Sequence, residues 1–506
     1  MSDGPSGVRY EPVDAAYFER RRLRPHAGLL SLWALGVGAV ISGQFSGWNM
    51  GLATGGWGGL MIAAAIIAVM YLGLTSSIAE MAAALPQTGG AYGFARAAMG
   101  PWGGFLTGLC ETVEYVLAAA VICFFMGGYL GGVFDTSPAL QPLYWLAAYG
   151  LFVGINAAGV AVSFGVAVFI TLLAVGCLSI FWACAAPLVE LHRYALDVAP
   201  GGEWLPDGHG PLLPAGWQGV LLQLPFAVWL FLAIEQLPLA AEESTAPRRD
   251  LPRSLLLGVG ALIVSAGMVI WLNAAIPPGA YALADSSEPL LEGFRSILGE
   301  GGGRILAFIA LAGLAASFHA IMYAYSRRIF SLSRAGYFPR GLSVTHPRRQ
   351  TPDRALIAGA VVGLLVLTVV WYALGAERGE RVIGGFLLNM AVFGAMLSYG
   401  LQAVSFILLR RRRPALERPF RSPLGLAGAV LTLAIALVTV CVQLGSPDYR
   451  AGVIGVAVWF AAAIAWFTAV SRRKLVLSPE EAFAMSSEGS PPEPSAAETE
   501  GPSPRS

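Results

Sequence analysis

Ile41-Ser42-Gly43-Gln44-Phe45-Ser46-Gly47-Trp48-Asn49 sits inside an otherwise apolar stretch, residues 29–53. Two glycines, two serines, Gln44 and Asn49 crowd this short segment. Small residues can mark a close contact between membrane helices. The sharper reading is a locally unwound helix, because non-helical backbone at membrane depth persists only where protein or cavity water satisfies it. A second interruption is Phe231-Leu232-Ala233-Ile234-Glu235-Gln236-Leu237-Pro238. There Pro238 removes a backbone donor, and Glu235 places an ionisable group just before it. Paired interruptions at corresponding positions of two repeats point to the midplane site of a secondary transporter. The correspondence rests on spacing, since residue identity does not reveal a repeat.

The rest of the chain supports a bilayer setting. Of 506 residues, 56% are hydrophobic and 12% charged, against about 25% charged in a soluble domain. A net charge of +1 gives no global attraction to nucleic acid. The five cysteines fall inside apolar runs without metal-ligand spacing, so packing is the expected role of each. The charged N-terminal stretch lacks the pattern of a cleaved signal peptide.

A spanning helix needs about 20 apolar residues, which gives about twelve spans. They lie at 29–53, 57–79, 102–130, 142–160, 163–188, 218–240, 254–276, 303–328, 355–374, 382–409, 423–444 and 452–470. Arginines fix the orientation, because Lys and Arg near span ends are retained in the cytoplasm. Clusters such as Arg20 to Arg22, Arg327 with Arg328, and Arg410 to Arg413 alternate with arginine-poor loops. Both termini are therefore expected in the cytoplasm, with the protein multi-pass in the cell's inner (plasma) membrane. Residues 1–27 read as an N-terminal tail and 28–474 as the transporter domain. Residues 475–506, rich in Ser, Pro and Glu, read as a disordered cytoplasmic tail.

Carboxylates inside spans are costly and usually face a pathway or a partner. Glu111 and Glu114 are three residues apart on span three, on one helical face, and Glu111 lies about 14 Å along that helix from Trp102. Glu235 on span six is the third. Spans one, three and six contain no Lys or Arg to neutralise them. They are either protonated, as burial favours, or joined by a cation. The bland alternative is that one or more is neutral and bonds a neighbouring helix. Glu80 reads as interfacial, and Glu242 with Glu243 as a salt-bridge cluster beside Arg248 and Arg249. His319 on span eight is either a proton relay or a hydrogen-bonded core histidine. Ser317 is either an ion ligand or a helix contact. Phe45, Trp48, Tyr115, Phe226 and Trp229 supply aromatic walls on which an ammonium could rest.

Four ordered motifs then match a known group. These are the Gly-rich stretch 42–49; Glu80 with Leu85-Pro86-Gln87-Thr88-Gly89-Gly90-Ala91-Tyr92; Ala241-Glu242-Glu243 with Pro247-Arg248-Arg249-Asp250-Leu251-Pro252-Arg253; and Ser326-Arg327-Arg328 with Arg334-Ala335-Gly336-Tyr337-Phe338-Pro339. Along nearly all its membrane part the chain resembles the amino acid–polyamine–organocation (APC) permease superfamily. Within it, Ile41-Ser42-Gly43, segments 89–96 and 100–108, and Glu111 with Glu114-Tyr115-Val116 resemble bacterial ethanolamine permeases. Gln44 departs from that group, standing where an acidic residue is expected. Ala233 departs too, replacing a glycine before the span-six glutamate.

The resemblance implies an all-α LeuT-like fold, with two inverted five-helix repeats plus two peripheral helices. It also implies secondary active import of a small amine, with ethanolamine first, by alternating access. The expected substrate site is Ser42, Gly43, Gln44, Phe45, Ser46, Gly47, Trp48, Glu111, Glu114, Tyr115, Trp229 and Glu235. Glu111, Glu114, Glu235 and His319 are the proton-coupling candidates, with Na+ as the alternative ion. In this superfamily, span-one amides hold a substrate carboxylate and span-six carbonyls hold the amine. Unpaired carboxylates at such a site would favour an amino alcohol, at about 4 kcal/mol per charge pair at 4 Å and an effective dielectric near 20. A neutral amino acid permease and a substrate-sensing membrane receptor are the alternatives. No cofactor, metal or catalytic constellation is expected, and no nucleic-acid partner.

Overall fold

The computed structural model describes residues 7–199, 203–205 and 207–485. Among these, nine helices are long and apolar enough to cross a membrane. Leu29–Phe45, Gln141–Ala157 and the later part of Pro289–Arg334 pack in the same bundle and complete the twelve expected spans.

Span one is helical over Leu29–Phe45, breaks, and resumes as a 3-10 turn at Trp48–Gly51. Gly56 (φ 67°, ψ 177°) then separates span one from span two within the run Leu52–Ala84. Span three belongs to Gly90–Phe134, span four is Gln141–Ala157 and span five Val160–Ala185. Span six is Gly216–Trp229 followed, after a break, by Ile234–Glu243. Pro247–Ala274 is span seven, and span eight belongs to Pro289–Arg334. Asp353–Leu374, Ala376–Arg412, Gly425–Gly445 and Arg450–Ala469 are spans nine to twelve.

The repeat that sequence identity hides is visible in the backbone. Spans one and six are the discontinuous ones, with left-handed residues at Gly47 (φ 91°) and Ala233 (φ 86°). Spans three and eight are each preceded by a short helix, 90–99 and 289–298, that turns at a glycine. Those glycines share one conformation: Gly100 at φ 80°, ψ −172° and Gly299 at φ 70°, ψ 176°. Only glycine enters this region without strain.

Packing obeys the same shift of five. Span one packs on eight as six packs on three, two on six as seven on one, and three on ten as eight on five. Five is odd, so the second set starts from the opposite face and runs inverted. Spans eleven and twelve attach outside this core, against span ten. The arrangement is LeuT-like, as the resemblance implied.

Tyr10–Glu11 pairs in parallel with Leu475–Val476, so both terminal segments lie on one face of the bundle, hereafter the tail side. This pairing corrects the expectation of disorder from residue 475 onward. Leu475 and Val476 are buried, and Pro479–Met485 is helical. Local composition misled because the burial comes from partners distant in sequence. Residues 486–506 of that predicted tail lie outside the described residues. The cysteines are all free; Cys110, Cys123 and Cys177 are buried, whereas Cys441 faces outward from span eleven.

Candidate functional site

The two breaks are built against each other. In span one, Ser46 is extended (φ −157°, ψ 156°) and Gly47 left-handed. The interrupted helix releases backbone groups, which must find partners. The Phe45 carbonyl accepts from the Tyr129 hydroxyl at 2.8 Å, and the Ser46 carbonyl from Trp229 Nε1 at 3.0 Å. The Asn49 side chain accepts from the Gly47 amide at 3.1 Å. Further back, Ser317 bridges the ladder from span eight, accepting from the Ser42 amide at 2.8 Å and donating to the Gly38 carbonyl at 2.6 Å.

Both readings of the glycines hold, at different positions. A Cβ on Gly43 would lie 2.5 Å from the Trp229 carbonyl oxygen, so Gly43 makes the close contact between spans one and six. Gly47 makes the turn. In span six, Ala233 takes the left-handed conformation, and its amide donates to Glu235 Oε2 at 3.0 Å. The carboxylate thus caps the resumed helix, whose N-terminus favours negative charge. Gln44 crosses the gap, donating to the Leu230 carbonyl and to Ser265 Oγ, each at 3.2 Å.

Glu111, Glu114 and Glu235 come together and are buried. The Tyr115 hydroxyl lies 3.3 Å from Glu111 Oε1 and 3.2 Å from Glu235 Oε1. Glu114 is within hydrogen-bonding reach of Glu235. Glu114 also accepts from the Tyr399 hydroxyl at 3.0 Å, and Tyr399 in turn accepts from Tyr71 at 3.0 Å. Two carboxylates so close either share a proton or need a cation between them.

Glu111 differs from the expectation. It is ion-paired with Arg328 on span eight, both groups being about 1% exposed. Arg328 also donates to the Gly89 carbonyl at 2.7 Å. Spans one, three and six indeed carry no cation, but a fourth span supplies one. Arg328, Tyr399 and Tyr71 are the site residues the sequence reading missed. A continuous helix through Arg334 is the signal that would have placed Arg328 inside the bundle.

Ser46, Trp48 and Asn49 lie away from the tails. Ser46 Oγ donates to the Ser287 carbonyl at 2.8 Å, and Asn49 Nδ2 to the Ser286 carbonyl at 2.8 Å. The segment before span eight therefore closes over that end. Trp48 and Phe45 are fully buried, Trp229 nearly so, and Phe226 lies at 9% exposure.

The tail end is also closed. Glu243 pairs with Arg327 at 2.8 Å, and Glu242 with Arg334 at 2.6 Å. The expected partners were Arg248 and Arg249, but these turn to Glu417 and Asp250. Glu80, at the tail-side end of span two, is 2% exposed and pairs with Arg410 at 2.5 Å and Arg418 at 3.1 Å, arginines at and just after the end of span ten. His319 is a hydrogen-bonded core histidine, held by Asn156 at 3.0 Å and Ser163 at 3.1 Å, and it is not joined to the carboxylates.

Residues 28–469 match the family described as amino acid permease, which covers the whole bundle. The chain belongs to the amino acid permease family. It is similar to an uncharacterized transporter of Rhizobium meliloti (strain 1021), 28% identical over 78% of this chain and 81% of that protein. It is also similar to the branched-chain amino acid permease BcaP of Bacillus subtilis (strain 168), 25% identical over 81% and 86%. Among solved structures, it is similar to the nucleobase–cation symporter Mhp1 in a closed conformation. That likeness has a TM-score of 0.49 at 16% identity, covering 95% of this chain and 98% of that one. This permease is a membrane transporter of the APC superfamily, in a family of transport proteins and not of enzymes.

Proposed function

We propose that this permease imports a small amine by alternating access about broken spans one and six, with ethanolamine as the first candidate substrate and a proton as the coupling ion. One observation carries the reading. Glu114 and Glu235 are buried side by side, and among the described residues no arginine or lysine is paired with either. Arg328 is already committed to Glu111. An ammonium entering beside Glu235 gains a charge-assisted hydrogen bond, and a proton leaving or joining the pair couples its passage. Tyr115 orients Glu235, while Gln44, Ser46, Trp48 and Trp229 line the side away from the tails. The arginine distribution supports an inner-membrane orientation with cytoplasmic tails.

A neutral amino acid is the second reading, favoured by the same ion pair. Arg328 cancels the charge of Glu111, which lowers the repulsion a substrate carboxylate would meet. Binding of ethanolamine, choline, alanine and putrescine to the purified protein at two pH values separates the readings. Tightest binding of ethanolamine supports the first; tighter binding of alanine replaces it with the second.

A further inference from the structure

The segment past residue 474 carries two adjacent carboxylates, Glu480 and Glu481, that are 1% and 0% exposed. Adjacent buried carboxylates need strong partners, and theirs come from the tail-side gate. Glu481 accepts from Arg96 at 2.6 Å and from Tyr92 at 2.7 Å, both on helix 90–99. It also accepts from Tyr10 at 2.6 Å and Tyr337 at 3.0 Å. Glu480 accepts from Arg334 at 2.5 Å and Ser331 at 3.1 Å, at the end of span eight. The segment thus bolts helix 90–99 to span eight.

Two further contacts tie this bolt to the transport path. Arg334 stands between Glu480 and Glu242, so it also holds the tail-side half of broken span six. Gly89, at the start of helix 90–99, accepts from Arg328, the partner of Glu111 in the site. A Cβ on Gly89 would lie 2.7 Å from Glu480 Cγ, so the segment presses on that turn directly. Opening toward the tails must part span six from span eight, and the segment stands against that parting.

We propose that residues 475–485 are an autoinhibitory clamp on the tail-side gate, which opens only when Glu480 and Glu481 release Arg334 and Arg96. This rests on the transport reading only in requiring a path to the tail side. No substrate identity enters it.

The test uses hydrogen–deuterium exchange on the full-length protein, comparing wild type with Glu480→Gln/Glu481→Gln. A chain ending at Lys474 serves as a second variant, and size-exclusion behaviour checks folding. The clamp predicts exchange at least about tenfold faster at 88–96 and 234–243, the change one charge-assisted hydrogen bond is worth, with the far-side segment 280–288 unchanged. Unchanged exchange in a folded variant overturns the clamp. Faster exchange spread evenly over the bundle also overturns it, because that marks a brace and not a gate. If the ethanolamine reading fails in binding while the local exchange change persists, the clamp stands without it.

Discussion

Arg328 of span eight is ion-paired with Glu111 of span three, with both side chains withdrawn from solvent. The pair joins the site to the tail-side gate, since Arg328 also bonds the Gly89 carbonyl. Breaking a buried pair by removing one partner typically costs about 3–5 kcal/mol. Arg328→Gln should therefore lower thermal stability strongly. Adding Glu111→Gln should restore part of it, because no uncompensated charge is then buried. Melting curves of the single and double variants check this.

Ala233 occupies a left-handed conformation (φ 86°) that costs an L-residue about 1–2 kcal/mol. Glycine relieves that strain but adds freedom to the unfolded chain. Ala233→Gly should leave the permease as stable or raise stability by at most about 1 kcal/mol, whereas Ala233→Val should destabilise it. Thermal melts of the two variants read the sign.

Gly43 meets the Trp229 backbone, so a methyl group there must push spans one and six apart. Neither partner is a flexible side-chain end. Gly43→Ala should reduce transport about tenfold or more, equivalent to about 1.4 kcal/mol on the barrier. Uptake into proteoliposomes measures it.

Asp197, in the loop after span five, accepts from the Tyr281 amide at 3.0 Å. Burial pushes its carboxyl up to about 6, above the value near 3.9 of an unfolded chain. A raised acid binds more protons folded than unfolded, so stability falls as pH rises from about 4 to about 6 and then levels off. Asp197→Asn should flatten the stability profile across that window. Denaturation at a series of pH values shows whether the slope is lost.

Much of the fold was legible because apolar run length and arginine spacing are local properties of the chain. The broken spans were legible in part: Gly47 marks the span-one break, but span six breaks at Ala233, five residues before Pro238, which lies inside the resumed helix. The inverted repeat was not, since it lives in dihedral angles shared by Gly100 and Gly299 and in packing pairs. At the site, Glu111, Glu114 and Glu235 stood out as charges in apolar runs. Their partners did not. Arg328 reads as a flank of span eight until helix length is known, and Tyr71 and Tyr399 look like any buried aromatic. Glu480 and Glu481 were hidden by a polar local composition whose binding partners lie at residues 96 and 334.

The most direct test of the account is ethanolamine counterflow in proteoliposomes, comparing wild type with Glu235→Gln across a range of pH. The account predicts saturable ethanolamine exchange by wild type and its loss, with loss of pH dependence, in a folded Glu235→Gln protein. Ethanolamine exchange that is absent in wild type, or unchanged in the variant at every pH, would contradict it.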